Sequence, residues 1–410
     1  MAVERRTSRD IRSESRLDVM HALLSAEEAT RNDLARATGL SPATVATVVG
    51  DLLSEGIVTE SRLSAGRVGR PTTSLRINAD RGRVVGIDVA ETYVRAIVFD
   101  AALREVAGVE TPRDEHESSP EYVVEGIGRT FEAALDRAGV GAEDVLGVGV
   151  ALPGIVQRAS GVVVVVPHWS WHSVELDSLR DRIGVPLVLD NPLKAIATAE
   201  LWFGTGRESD SMVTVNLGTG VGAGIVLEGR ILRGATNAAG EWGHSLLAID
   251  GRRCRCGRQG CVEAYVGAPG IQQTLREVAP EHPLCDLEMQ QEFIQALAAA
   301  SAADTPDPAV EETLAITARY LGSALADLVA VVNPERVTLT GWTTWALGDR
   351  LLPLTRARLD EEAPGESAAG LRLEISTVRS NSVATGVAMI ALERFLGDVG
   401  LVTTRVPIAL

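Results

Sequence analysis

One short stretch limits what this chain can fold into more than any other. Gly240-Glu-Trp-Gly-His244 is followed, after nine residues, by Cys254-Arg-Cys256-Gly-Arg-Gln-Gly-Cys261-Val-Glu263. The imidazole of His244 and the thiols of Cys254, Cys256 and Cys261 are four soft or borderline ligands. Such a set suits a closed tetrahedral zinc site that contributes folding energy and leaves no open coordination position. A disulfide is the alternative, but Cys254 and Cys256 are too close in sequence for a relaxed bridge. With four cysteines in 410 residues, nothing else points to an oxidising compartment. The fourth cysteine, Cys285, reads as a buried small side chain.

A chain of this length holds two or three domains, and its 45% hydrophobic content is ample for large cores. No continuous apolar run reaches the eighteen or so residues needed to span a membrane. The first residues, Met1 to Arg16, are charged and arginine-rich, without the apolar segment of a secretory signal. A cytoplasmic protein with no membrane association is expected. The net charge of −16 argues against nucleic acid until it is divided by region. Residues 1–83 carry 13 Arg against 11 Asp or Glu, whereas the remainder carries 26 basic and 44 acidic groups. A weakly basic head on an acidic body fits a DNA reader whose body is repelled by the duplex. Lys194 is the only lysine, which reads as composition bias.

The head has helical punctuation. Leu17, Met20, Leu23 and Leu24 recur at helical spacing, and Thr30-Arg-Asn-Asp33 starts a second, short helix like a capping box. Gly39 ends it. Ser41-Pro42 then supplies an N-cap and a first-position proline for a third helix reaching about Glu55, with Val45, Val48, Leu52 and Leu53 on its apolar side. Two short helices joined by a glycine-containing turn form a helix-turn-helix, which places Ser41, Ala43, Thr44 and Thr47 toward bases and phosphates. Strand-like segments at Gly56 to Glu60 and Thr72 to Ile77 flank Gly66-Arg67-Val68-Gly69-Arg70-Pro71. That pattern predicts a wing whose Arg67 and Arg70 reach phosphate or a narrow minor groove. A helical protein-interaction module is the competing reading.

In the body, Val84 to Asp88 is an apolar strand ending in a carboxylate, and Val94 to Phe99 is its return strand. Met212 to Asn216, Leu217-Gly-Thr-Gly-Val-Gly-Ala-Gly224 and Ile225 to Leu227 repeat that arrangement. The glycine run also matches a dinucleotide fingerprint, but that motif needs a helix directly afterwards, and here a second apolar strand follows. Together the winged head, the two strand-turn-strand units, Leu152-Pro-Gly154, Gly218-Thr-Gly220, Gly240-Glu-x-Gly-His244 and Cys-x-Cys-Gly-x-x-Gly-Cys resemble the ROK family of repressors, open reading frames and sugar kinases. The likeness covers essentially the whole chain. Its head resembles the repressor branch, which includes the xylose and N-acetylglucosamine repressors.

The resemblance implies an α/β fold: a winged helix-turn-helix over residues 1–80, then a duplicated, actin-like two-lobed sugar-kinase body with a structural zinc site. The first lobe would span 81–195, completed by 380–410, and the second 196–379. It implies sugar contacts from Asn191, Glu241, His244 and Glu263 in the cleft between lobes. There His244 would bind zinc through one ring nitrogen and offer the other to the sugar. Glu241 and Glu263 are equally able to orient the zinc ligands instead. The kinases of the family carry a Glu-Asn-Asp-like run whose last carboxylate is the base; here Asp190-Asn191-Pro192 places a proline there, and a proline accepts no proton. Their Asp-x-Gly-Gly-Thr-Lys loop becomes Asp88-Val-Ala-Glu-Thr-Tyr93, and Trp342 stands in the usually glycine-rich adenosine site. Catalysis depends steeply on its base and phosphate loop, so no enzyme activity is expected.

The expected protein is a DNA-binding regulator, a repressor of carbohydrate genes responsive to a sugar or sugar derivative. It would act as a homodimer or dimer of dimers on a palindromic operator. A sugar kinase, also able to be bifunctional, and a DNA-binding protein with a vestigial body are the alternatives. Trp169 and Trp171 either stack on a sugar or belong to the core, and His168 and His172 carry less weight. Residues 280–308 are acidic and proline-punctuated, with no clear pattern, whereas Ser380 to Leu396 reads as a helix.

Overall fold

Three helices and a β-hairpin open the computed structural model of the protein, which describes residues 8–62, 73–114, 116–158, 162–166 and 169–398. Helix α1 (Ser8–Ala26) buries Val19, Met20, Leu23 and Leu24. Helix α2 (Arg31–Thr38) begins on a reciprocal cap: the Asp33 amide donates to Thr30 Oγ1 (3.2 Å) and the Thr30 amide to Asp33 Oδ2 (3.0 Å). It stops at Gly39, whose φ of 70° is the left-handed value that ends helices at little cost to glycine. Helix α3 (Pro42–Ser54) takes Ser41 as N-cap and buries Val45, Val48, Val49 and Leu52. Strands β1 (Val58–Arg62) and β2 (Thr73–Ile77) pair antiparallel, with Val58 opposite Ile77. The tip between them, with Arg67 and Arg70, lies outside the described residues.

The chain divides into two compact units: Met1–Val164, Ser173–Trp202 and Val383–Leu410 form one, Val165–His172 and Phe203–Ser382 the other. In the first, β3 (Arg83–Val89), β4 (Tyr93–Asp100) and β5 (Glu105–Pro112) run as an antiparallel meander. Helix α4 (Pro120–Ala138) leads to β6 (Val145–Ala151), which pairs parallel with β3. Strands β7 (Ile155–Arg158), β8 (Val162–Val166) and β9 (Trp171–Glu175) make a small separate sheet. Helix α5 (Asp177–Ile183) then feeds β10 (Leu187–Asp190), parallel to β6, and α6 (Pro192–Phe203) follows.

The second unit repeats the scheme. Strands β11 (Met212–Leu217), β12 (Val221–Leu227) and β13 (Arg230–Ile231) form the meander. Helices α7 (Glu263–Val266), α8 (Ala268–Val278), α9 (Gln290–Ser301) and α10 (Pro308–Val332) precede β14 (Arg336–Thr340), which is parallel to β11. After α11 (Trp342–Glu362) and α12 (Gly365–Ala368), β15 (Arg372–Ile375) adds parallel to β14. The sheet orders β10-β6-β3-β4-β5 and β15-β14-β11-β12-β13 correspond strand for strand. The second apolar strand that follows the glycine run is β12, so the run is a hairpin turn, not the opening of a dinucleotide-binding helix.

Helix α13 (Ser382–Asp398) closes the first unit through glycines. A Cβ on Gly86 would lie 1.9 Å from Ala384 O, one on Gly149 2.0 Å from Val387 O, and one on Gly386 1.8 Å from Ala195 O. Backbone therefore meets backbone where α13 crosses β3, β6 and α6. Among the described residues, α10 is long and apolar enough to cross a membrane, yet Leu314, Ala318, Leu321, Leu325 and Val329 are buried inside the second unit. Helix α10 is a core helix here.

Candidate metal centre and flanking polar groups

Two glycines set the loop that carries His244. Gly240 has a φ of 99°, its carbonyl accepts from the Ala223 amide (2.9 Å), and a Cβ there would lie 2.0 Å from Ala223 O. A Cβ on Gly243 would lie 1.9 Å from Val221 O. The loop backbone thus rests directly on β12, Trp242 fills the core beside it, and a single 3-10 turn over Trp242–His244 presents the imidazole. Any side chain larger than hydrogen at either glycine would lift the loop away.

The cysteine segment is a tight hairpin. The Cys254 amide donates to Arg258 O (2.8 Å), the Gly257 amide to Cys254 O (3.0 Å), and the Gly260 amide to Arg252 O (2.8 Å). Gly257 and Gly260 have φ of 88° and 75°, which is why the two glycines of the motif stand where they do. Arg252, a residue the motif alone does not reveal, pins the hairpin to α8. Its guanidinium donates to Thr274 Oγ1 and Gly270 O (both 3.0 Å), pairs with Glu277 and lies over the Tyr265 ring (4.8 Å).

These loops bring His244, Cys254, Cys256 and Cys261 together, with one ligand atom from each all within 4.8 Å of one another. Cys254 Sγ is 3.7 Å from His244 Nδ1, and Cys256 Sγ is 3.7 Å from Cys261 Sγ. A tetrahedral ion with sulfur bonds of about 2.3 Å has ligand–ligand edges of about 3.8 Å. The spacing is therefore that of a site able to hold a metal ion, and all three cysteines are free thiols. Burial pushes the Cys254 and Cys261 thiols up. Burial pushes the Cys256 thiol up too, but hydrogen bonds with Arg258, Cys254 and Cys261 together bring it below its ordinary value. A bound cation supplies the positive charge that turns such thiols into thiolates.

Glu263 lies against this cluster. Its Oε1 accepts from the Cys254 thiol (3.4 Å) and its Oε2 from the Val221 amide (3.0 Å), joining the knuckle to the hairpin turn at Gly218-Thr-Gly220. Glu241 caps the same 3-10 turn through its carbonyl, which accepts from the His244 amide (3.0 Å). Thus Glu241, His244 and Glu263 share one small region of the second unit. Asn191 belongs to the first. There its Nδ2 donates to Gly154 O and its Oδ1 accepts from the Leu193 amide (2.8 Å), so it caps α6 and holds the Leu152-Pro-Gly154 turn. Pro192 occupies the first helical position of α6, where a missing amide hydrogen costs nothing.

Asp88 is the last residue but one of β3, next to the first hairpin turn. Burial raises its pKa to about 6, against the opposing effects of the Tyr93 hydroxyl (3.0 Å) and the Arg95 charge. At the second hairpin turn, a Cβ on Gly218 would lie 2.9 Å from Trp342 Nε1, so the indole covers that turn. Trp169 and Trp171 are buried edge to face, with ring centroids 5.2 Å apart, as core aromatics. His168 lies outside the described residues, and His172 is exposed.

On α3, Ser41 and Thr44 are tied to each other: the Thr44 amide donates to Ser41 Oγ (3.1 Å) and their hydroxyls are 2.8 Å apart. Ala43 and Thr47 are exposed, and so are Ala46 and Gly50, which the helix-turn-helix pattern did not single out.

A sequence model of the ROK family matches residues 84–394, and one described as winged helix-turn-helix DNA-binding matches residues 12–59. The chain is 25% identical to the xylose repressor of Caldicellulosiruptor bescii, over 92% of this chain and 95% of that protein. It is 30% identical to a glucokinase of Halalkalibacterium halodurans, over 74% of this chain and 92% of that protein. Among solved structures, a ROK family transcriptional regulator described as a homologue of the E. coli MLC protein superposes with a TM-score of 0.74 at 25% identity. That match covers 95% of this chain and 98% of the other.

Proposed function

The chain belongs to the ROK family, and on that premise we propose that it is a sugar-responsive transcriptional repressor. The observation that carries this reading is one continuous likeness. A winged helix-turn-helix match and a ROK match follow one another in this chain, and the chain aligns with the xylose repressor of C. bescii over nearly the full length of both. The head binds duplex DNA through α3, with Ser41, Ala43, Thr44 and Thr47 at the groove and Arg67 and Arg70 of the wing at the backbone. Binding as a homodimer or dimer of dimers would make the operator palindromic. A protein that works on chromosomal DNA is expected in the cytoplasm.

The metal is zinc, held by His244, Cys254, Cys256 and Cys261, because three thiolates and an imidazole at tetrahedral spacing suit its borderline-soft character. His244 would hold the ion through Nδ1, which faces Cys254, and keep Nε2 for a sugar hydroxyl; Glu241 and Glu263, and Asn191 in the first unit, are the other side chains we assign to sugar. Regulation requires that sugar bind one arrangement of the protein better than another. A coupling of about 1–3 kcal/mol would change DNA affinity about 5–150-fold.

A sugar kinase is the second reading, favoured by the 30% identity to a glucokinase. Three positions count against it. Pro192 offers no atom to accept the sugar proton, Glu91 adds negative charge beside the first hairpin turn, and Trp342 covers the second. The deciding experiment sequences genomic fragments bound by the protein, with and without a pooled sugar mixture, alongside an assay for ATP consumption on the same sugars. Palindromic sites that change occupancy with sugar, without ATP turnover, are the expected result. Turnover with any hexose would reinstate the kinase, and an absence of enriched fragments would remove the repressor.

A further inference from the structure

The exposed side of α3 is unusual for a helix that enters a DNA groove. From Ser41 to Ser54 its exposed residues are Ser41, Pro42, Ala43, Ala46, Thr47, Gly50 and Ser54, with neither a charge nor an amide among them. Its one charged residue, Asp51, is half-buried. The polar atoms that remain are largely engaged within the helix. Ser41 Oγ accepts the Thr44 amide, and the Thr47 hydroxyl donates to Ala43 O (3.0 Å). On the neighbouring helix, Arg31 pairs with Glu60 and Arg36 with Asp33. A Cβ placed on Gly50 would meet nothing within 4 Å.

Purine edges are read by side chains with two hydrogen-bonding atoms at once: Arg or Lys for guanine, Asn or Gln for adenine. The exposed side of α3 has none of these. It has methyl groups, on Ala43, Ala46 and Thr47 in adjacent turns, and a bare backbone at Gly50 that lets the groove floor come close. The base feature complementary to a methyl is another methyl, and in the major groove only thymine carries one. We propose that α3 recognises its half-site chiefly through thymine C5-methyl groups packed on Ala43, Ala46 and Thr47, so that the bases beneath the helix are A·T pairs. The helix carries no direct purine readout, and orientation on the duplex comes from contacts to the phosphates.

This inference rests on the DNA-binding reading, and its test separates the two. A duplex recovered in the genomic selection is remade with deoxyuridine in place of one thymidine at a time, which deletes the methyl and leaves base pairing and the O4 acceptor unchanged. Affinity of the full chain is expected to fall about four-fold for each contacted methyl. Replacing adenines under the helix by 7-deazaadenine should change affinity less than about two-fold. In Thr47→Ser, which keeps the hydroxyl and loses the methyl, the uracil penalty at one position should shrink toward none, the coupling expected of groups in contact. Ala46→Ser, with the same thermal stability as the parent chain, should do so at another.

A recovered duplex that binds equally with thymine and uracil throughout would overturn the inference while leaving DNA binding intact. So would a uracil penalty that persists unchanged in both variants. Failure of the chain to bind any duplex would instead overturn the repressor reading, and this inference with it.

Discussion

At the scale of single residues, the metal cluster makes the firmest predictions. Cys256→Ser removes one of the four groups able to hold a metal ion, so metal content and thermal stability should both fall, and a chelator should unfold the variant at concentrations the parent withstands. Glu263→Gln keeps the shape but removes a negative charge 3.4 Å from Cys254 Sγ that would draw a cation to the cluster; metal affinity should drop about 10–100-fold. Unchanged affinity would return Glu263 to a purely sugar-binding role. Asp88 yields a pH-dependent prediction. A carboxyl whose folded pKa is about 6, above the unfolded value of about 3.9, favours the native state only while protonated. Stability linked to it is present at pH 4 and lost as the pH rises through 6, by about 3 kcal/mol in all. Asp88→Asn, which can still accept from Tyr93, should therefore stabilise the protein at pH 8 and do little at pH 4 in denaturant unfolding. An equal effect at both would refute this. The cluster of His244 with Cys254, Cys256 and Cys261 was legible in the sequence because its spacing is itself the chemistry. Arg252 was not, because what it touches is set by a helix that follows later in the chain.

At the scale of elements, local rules carried most of the information. The Thr30–Asp33 cap, Gly39 and the Ser41-Pro42 start were readable because each acts within one helical turn. Thr30→Ala is accordingly expected to cost about 1 kcal/mol in denaturant unfolding. Helix α9 was missed: prolines and acids around it masked a stripe of Phe293, Ile294 and Leu297, all buried. The role of α13 was also only half visible. Its helical period shows in the sequence, but not its closeness to β3, β6 and α6, since a glycine announces freedom without naming its neighbour. A Cβ on Gly386 would lie 1.8 Å from Ala195 O, which is backbone and cannot rotate aside. Gly386→Ala should therefore cost about 1–3 kcal/mol or more, although alanine favours helices. A variant as stable as the parent would mean that α13 can slide on its bed.

At the scale of the molecule, the duplication was visible as two strand-turn-strand units, whereas the parallel strands β6, β10, β14 and β15 that complete each sheet were not. Their partners are distant in sequence, β6 and β14 are runs buried on both faces with no alternation, and β10 and β15 are only four residues long. The two sheets nevertheless differ in what their first turns can do, since the second is covered by an indole. A sugar that binds should raise thermal stability in proportion to its occupancy, by about 2.7 kcal/mol at a hundred times its Kd. A nonhydrolysable ATP analogue added with magnesium should give no further rise. A second, sugar-dependent increase would show that the indole yields to nucleotide.

Lys194, the only lysine side chain of the protein, is 2% exposed and lies three residues after Asn191 on α6. The folded protein consequently displays no side-chain amine, so acylating reagents and acetylating enzymes have no lysine to reach at its surface. The rate at which that amine becomes labelled is then a clock for the openings that expose α6, and an effector held at Asn191 should slow it.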